Sequence, residues 1–389
     1  MTRTFLPGVL LLMIAWAAAA STAAKDWTRS ALPPPPGETK QLGVARPFYG
    51  VSNGALLLAG GSNFPDAPAS EGGTKACRDE IYVRLPSGQW QTIARKLPNG
   101  AVAEGVSATT ARGIVCVGGT DGRRDLAEAF LMAWDPAAGD VTFAPLPRLP
   151  KTIRMGVGAG WRTQVLIACG EQGGAPSNGF WHLDLDRPDA GWTELPPLPG
   201  LPRSQPVGAI ALRGAQGPAF YVCGGGGAAH DGTLAALTDG YSFDLAAGAS
   251  GAWRPAAPVQ PVGSPKPISL LGGSACGLGS VIICAGGFDN EVWDEAVREL
   301  GRLRGEELAA YRRDYLTRPV ADYRWNRRLL VYDAAADVWA SADEVPEARC
   351  GAAMAVLPGG VLIIASGEDK PGSRSPLAFV RQLTARKTT

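Results

Sequence analysis

The chain has 389 residues, more than one ordinary compact core holds, so two domains or a repeat architecture are expected. Its formal charge is +1 and no basic run occurs, which argues against a nucleic-acid partner. Only two histidines, His182 and His230, are present, so a Ser-His-Asp site or a multi-histidine metal site is hard to build.

In chain order, the first element is an N-terminal apolar segment. Arg3 precedes "VLLLMIAWAAAA", and small residues close it. This reads as a secretory signal peptide over residues 1–24, cut between Ala20 and Ala24. The run is short for a ~20-residue membrane span, so no stable membrane insertion is expected after cleavage, and the destination is periplasmic or secreted. A tryptophan strand with a proline turn follows, "KDWTRSALPPPPG".

A repeat then begins. Apolar strands ending in small residues recur as "ALLLAGG", "GIVCVGG", "VLIACG", "FYVCGG", "VIICAGG" and "VLIIASG", closing at Gly61, Gly119, Gly170, Gly225, Gly287 and Gly367. After most of them comes a strand with an aromatic and an aspartate, then a strand carrying Trp90, Phe143, Trp192, Trp253 or Trp339, then a proline turn. Four of the seven cysteines, Cys116, Cys169, Cys223 and Cys284, fall inside the apolar strands and read as core packing rather than a disulfide framework.

This pattern is the kelch signature. It predicts an all-β fold, a six-bladed kelch-type β-propeller over residues 25–389. The sixth unit lacks its tryptophan strand, and Trp27 supplies one at the other end, so the N-terminal strand is expected to close the last blade. Two separate sandwiches would leave that strand unexplained. Blade five carries a long excursion, "FDNEVWDEAVRELGRLRGEELAAYRRDYLTRPVADYRW", in which Val292, Ala296, Leu300 and Leu303 recur at helical steps. It is expected to be a helical insertion that walls a pocket, or else a surface decoration.

The last apolar strand runs into "GEDKPGSRSP". By register this loop opens on the same face as the insertion, around the mouth of a central channel. "GEDKPGSRSP" resembles the Gly-Glu-x-Lys-Pro-Gly-x-Arg loop of the bacterial N-acetylneuraminate epimerases (sialic acid mutarotases), which are six-bladed kelch propellers. "GVSNGALLLAGG", "NEVWDEAV", "DYRWNRRLLVYDAAADVW" and "LPRSQPVGA" resemble stretches of the same family, in an order that matches its cyclically permuted branch. The resemblance implies that Glu368 is the proton acceptor and Arg374 its essential companion. It implies interconversion of the α and β anomers of N-acetylneuraminate or a close relative, with a small sugar acid as partner and no metal or redox cofactor. The alternative is a non-catalytic carbohydrate- or protein-binding propeller. A copper oxidase of similar fold is disfavoured by the scarcity of histidine.

Chemically, Glu368 would take a hydroxyl proton and Arg374 would offer a planar fork to the substrate carboxylate. Substrate-binding candidates are Arg203, Gln205, Asn63, Arg349, Tyr323 and Asn326, each beside a core strand. For each, a structural role in satisfying backbone groups stands beside ligand contact. His230 and Asp231 are further candidates for the mouth. Glu104, in "AVAEGVSA", stands where related sequences tend to carry tyrosine, which bears on substrate preference. The oligomeric state is left open.

Overall fold

The recurring apolar runs are the second strands of six four-stranded antiparallel sheets, seen in a computed structural model that describes residues 26–228 and 233–383. The expected signal peptide, His230 and Asp231 lie outside the described residues. The chain is mostly strand, an all-β, propeller-like fold.

In chain order, the first strands of the six sheets are Phe48–Ser52, Val106–Thr110, Val157–Trp161, Val207–Leu212, Ser274–Leu278 and Ala353–Leu357. Each contacts the first strand of the sheets before and after it, and Phe48–Ser52 also touches Ala353–Leu357, so the six form a closed cycle. Sheets one to five run outward in sequence order. In sheet six the outermost strand is Thr28–Ala31, paired antiparallel with Leu377–Val380.

The second strands are apolar, apart from Gln164 at the start of the third, because both faces are covered by neighbouring sheets. Ala55–Ala59 and Gly113–Val117 are buried at every position. The aspartate ending the third strand has a local cause. The carboxylates of Asp135 and Asp333 each accept two backbone N–H groups of the turn that follows, at 2.9–3.1 Å. The tryptophans of the fourth strands tie sheets together. The indole N–H of Trp192 donates to Pro147 (2.8 Å), that of Trp253 to Pro196 (2.9 Å) and that of Trp339 to Ala257 (3.0 Å), each in the turn leaving the preceding sheet. Trp90 donates instead to the Ser30 hydroxyl on the N-terminal strand at 3.2 Å.

Two helices lie between the second and third strands of sheet five, α1 (Asn290–Arg302) and α2 (Gly305–Thr317). The Asp289 side chain caps α1 by accepting the N–H groups of Glu291 and Val292 at 3.1 Å each. All seven cysteines are free thiols, and Cys116, Cys169, Cys223 and Cys284 are buried in the sheets.

Candidate active site

Each second strand ends in two residues of positive φ, which turns the chain sharply away from the sheet. In sheet six these are Ser366 (φ 59°) and Gly367 (φ 93°). A serine is tolerated there because its hydroxyl is fully used. It donates to the carbonyls of Val44 (2.8 Å) and Ser375 (3.0 Å) and accepts from Val44 N–H (2.8 Å). This buried knot anchors both ends of the next hairpin.

That hairpin pairs Glu368–Lys370 with Ser373–Arg374 across a Pro371-Gly372 turn, and its register sets Glu368 opposite Arg374. The two side chains form an ion pair. Glu368 is further fixed by a backbone bridge, its N–H donating to Cys350 O (2.8 Å) and its carbonyl accepting from Cys350 N–H (3.1 Å). The Arg374 guanidinium donates from Nε to Ser62 O (3.0 Å) and from Nη1 to Ser373 O (3.3 Å), and lies 5.0 Å over the Phe64 ring. Its side chain is only 6% exposed, against 21% for Glu368. Arg374 is thus largely committed to protein partners, and Glu368 is the member open to a ligand.

The insertion closes over this hairpin. A side chain at Gly372 would meet Leu316 of α2 at 3.3 Å, and α2 also contacts the 3-10 turn Ala69–Glu71 of sheet one. Tyr315 is close enough to Glu368 to feel its charge. Burial pushes its phenol well above the ordinary range, with Tyr323, Tyr311 and, least of these, Glu368 adding to the shift, so it stays protonated. Tyr323, buried, donates its hydroxyl to Tyr315 O and packs edge-on against the Tyr315 ring at 5.5 Å.

The other sequence candidates divide. Arg349 is buried beside this hairpin, paired with Glu347 (2.5 Å) and Asp369 (3.5 Å), with its guanidinium 5.6 Å from the centre of the Phe379 ring. Burial pushes its guanidinium below the usual range. Asn63 adjoins the Ser62 carbonyl that Arg374 uses. Its Nδ2 donates to Gly43 O (3.2 Å), while its buried Oδ1 has no hydrogen-bond partner among the described residues. Asn326 ties loops together, donating to Gly286 O (3.1 Å) and accepting from Arg328 N–H (3.0 Å). Arg203 is fully buried in a small three-stranded sheet just before sheet four. It is bound bidentately to Asp239 (2.7 and 2.9 Å) and to Gly224 O (3.1 Å), a set that satisfies structure.

Gln205 belongs to a feature that sequence patterns do not announce. The turn preceding each first strand contains one positive-φ residue: Arg46, Glu104, Met155, Gln205, Gly272 and Gly351. The N–H of each donates to the carbonyl of the one before, at 2.7–3.1 Å, and Arg46 N–H closes the circle on Gly351 O at 2.8 Å. Six backbone hydrogen bonds therefore ring one mouth of the channel. Below it lies a cavity of about 460 Å³ walled by the first strands, with Arg46, Glu104 and Gln205 at its rim. Glu368 and Arg374 stand just outside this wall, behind the Cys350–Gly351 turn.

Glu104 sits in this ring as a buried carboxylate held by Lys75 (2.7 Å) and Arg154 (2.7 Å). Burial alone would raise its pKa, but Lys75, Arg46 and Arg154 outweigh it and hold the carboxyl below its usual value. Among the described residues no three His, Cys, Asp or Glu side chains converge to hold a metal.

The sequence model of the N-acetylneuraminate epimerases matches residues 146–389, well over half the chain and including the Glu368–Arg374 hairpin. The chain belongs to the N-acetylneuraminate epimerase family. A family member from Yersinia enterocolitica is 31% identical over 234 residues, covering 59% of this chain and 55% of the relative. One from Brucella melitensis is 31% identical over 239 residues, covering 60% and 57%. The matches thus span little more than half the length of these relatives. The solved structure of YjhT superimposes with a TM-score of 0.51 at 24% identity, over 63% of this chain and 69% of that one, a likeness of fold.

Proposed function

We propose that this protein is a six-bladed propeller, exported to the periplasm or beyond, that interconverts the anomers of N-acetylneuraminate or a closely related sugar acid. The observation that carries this reading is the Glu368–Arg374 hairpin, in which a rigidly held arginine orients a half-open glutamate beside the channel rim. Membership of the epimerase family supports the substrate class.

The reaction needs one base and one acid. Glu368 accepts the proton of the anomeric hydroxyl. The electron pair left on that oxygen forms the carbonyl, and the bond from the anomeric carbon to the ring oxygen breaks. The ring oxygen takes a proton from Tyr315, whose buried phenol is neutral. Rotation about the bond to the new carbonyl and reversal of the same transfers close the ring on the other face, returning both protons. Arg374 holds Glu368 in place throughout. The helices beside the hairpin limit water access.

The test is saturation-transfer NMR on the two anomers with purified protein. Exchange above the spontaneous rate that disappears in Glu368→Gln supports an epimerase. Binding without enhanced exchange would instead make the protein a carbohydrate-binding propeller.

A further inference from the structure

A sugar acid of this class carries its carboxylate directly on the anomeric carbon. Whatever holds that carboxylate must therefore reach a point a few ångströms from where the hydroxyl meets Glu368. Arg374 is poorly placed for the task, because its Nε and Nη1 are already bound to Ser62, Ser373 and Glu368 and its face is covered by Phe64.

A second guanidinium meets the condition. Arg46 N–H donates to Gly351 O, and Gly351 follows Cys350, the residue bridged to Glu368. Arg46 and Glu368 thus flank one two-residue turn. The Cys350 thiol registers both: burial pushes it up, Glu368 adds to the shift, and Arg46 opposes it. The Arg46 side chain runs over two glycines of the ring. A side chain at Gly351 would meet Arg46 Cγ at 2.8 Å, and one at Gly272 would meet Nη2 at 3.3 Å. Bare backbone at these two ring positions is what lets the guanidinium lie across the mouth. There Nη2 donates to Oε1 of Gln205, on the opposite side of the ring.

This resting partner is neutral. Glu104, the nearby acid of the ring, spends Oε1 on Lys75 and Oε2 on Arg154. A partly buried guanidinium at a concave rim, held by one amide oxygen, is a site for an anion, which makes stronger, charge-assisted bonds than an amide does.

We propose that Arg46 is the carboxylate-binding residue of this site, exchanging Gln205 for the C1 carboxylate of the sugar acid whose anomeric hydroxyl faces Glu368. The proposal rests on the epimerase reading and names its anion subsite. Gln205 acts as a placeholder that keeps the guanidinium extended over the mouth when no substrate is bound.

The experiment compares N-acetylneuraminate with its neutral C1 carboxamide, measuring affinity by calorimetry and anomer exchange by NMR. Wild-type protein should bind the acid about 10- to 100-fold more tightly than the amide. Arg46→Gln should lose most of that discrimination by weakening the acid alone, and Arg46→Lys should recover part of it. Gln205→Ala should keep the discrimination, because only the placeholder is lost. Circular dichroism and melting curves check that each variant is folded. If Arg46→Gln still discriminates while wild-type protein catalyses exchange, the subsite assignment is overturned and the epimerase reading stands. If wild-type protein neither binds the acid nor accelerates exchange, the epimerase reading falls and the subsite with it. Loss of discrimination in Gln205→Ala would also overturn the proposal, since the anion would then depend on the amide.

Discussion

Glu368 and Arg374 face each other across one hairpin, yet their environments give them different work. Glu368→Gln preserves size and the backbone bridge to Cys350 while removing the base. Anomer exchange should fall by about 10²–10⁴. The variant should stay folded but melt a few degrees lower, because Glu368 neutralises an Arg374 guanidinium that is only 6% exposed, and glutamine replaces the hydrogen bond but not the charge. Arg374→Lys should also lower turnover, for a geometric reason. A lysine cannot bond Ser62 O and Glu368 at once from a plane stacked on Phe64. If Arg46 carries the carboxylate, substrate affinity should change less than rate in Arg374→Lys. Tyr315→Phe keeps the ring contacts to Tyr311 and Tyr323 and deletes only the proton donor. We expect its exchange rate to drop by roughly 10²-fold with an unchanged melting temperature. A wild-type rate in this variant would assign the acid step elsewhere, to water or to another side chain.

The Glu368–Arg374 hairpin depends on a residue with no ligand to touch. Ser366 takes a left-handed conformation that glycine fills in four of the other five sheets and Cys169 in the remaining one, and its hydroxyl satisfies the Val44 N–H inside the protein. Ser366→Ala leaves that donor buried and unpaired, at a cost of about 1–3 kcal/mol. The hairpin should loosen before the sheets do, so exchange should be more temperature-sensitive in the variant than its circular dichroism. The propeller-like fold was legible because burial on both faces forces continuous apolar strands, and because Asp135 and Asp333 recur for a local reason, their turns. Glu368 and Arg374 are reached differently, through the resemblance of "GEDKPGSRSP" to a family loop. The placing of Arg46 was not legible, since it comes from a ring of hydrogen bonds between sheets and from Gln205, 159 positions away. Tyr315 is not marked by any sequence pattern, and only the packing of α2 near the hairpin brings it within reach of the Glu368 charge. Arg203, singled out as a binding candidate, follows the opposite course. It stands next to the rim residue Gln205 in sequence but turns into the protein toward Asp239.

For the whole molecule, two dependences follow from how the ring is joined. The first is electrostatic. Glu104 is buried, and its folded pKa is depressed by Lys75, Arg46 and Arg154. A depressed carboxyl contributes stability above its unfolded pKa of about 4.3 and loses it as pH falls through the folded value. The melting temperature of wild-type protein should therefore fall more steeply below pH 5 than that of Glu104→Gln. The two curves should differ at pH 7 and converge near pH 3, and parallel curves would show that Glu104 does not carry this dependence.

The second dependence is topological. A ring of sheets has no free edge only while every sheet keeps its strands, and sheet six takes its outermost strand from the far end of the chain. That strand brings more than its pairing with Leu377–Val380. Leu32 is buried and donates its N–H to Pro376 O at 2.9 Å, Trp27 packs under Arg381 at 5.7 Å, and Ser30 receives the indole of Trp90 from sheet one. Removing residues 26–32 should thus expose apolar surface of sheets one and six together. Burying a leucine side chain contributes about 2 kcal/mol and each lost hydrogen bond about 1 kcal/mol. The sum is several kcal/mol, which in a protein of this size lowers the melting temperature by on the order of 5–10 °C. Because the first strands of all six sheets touch in one cycle, the loss should appear as a shift of the whole transition rather than as a separate early step. A truncated protein that melts at the wild-type temperature would show that the ring is held without this strand.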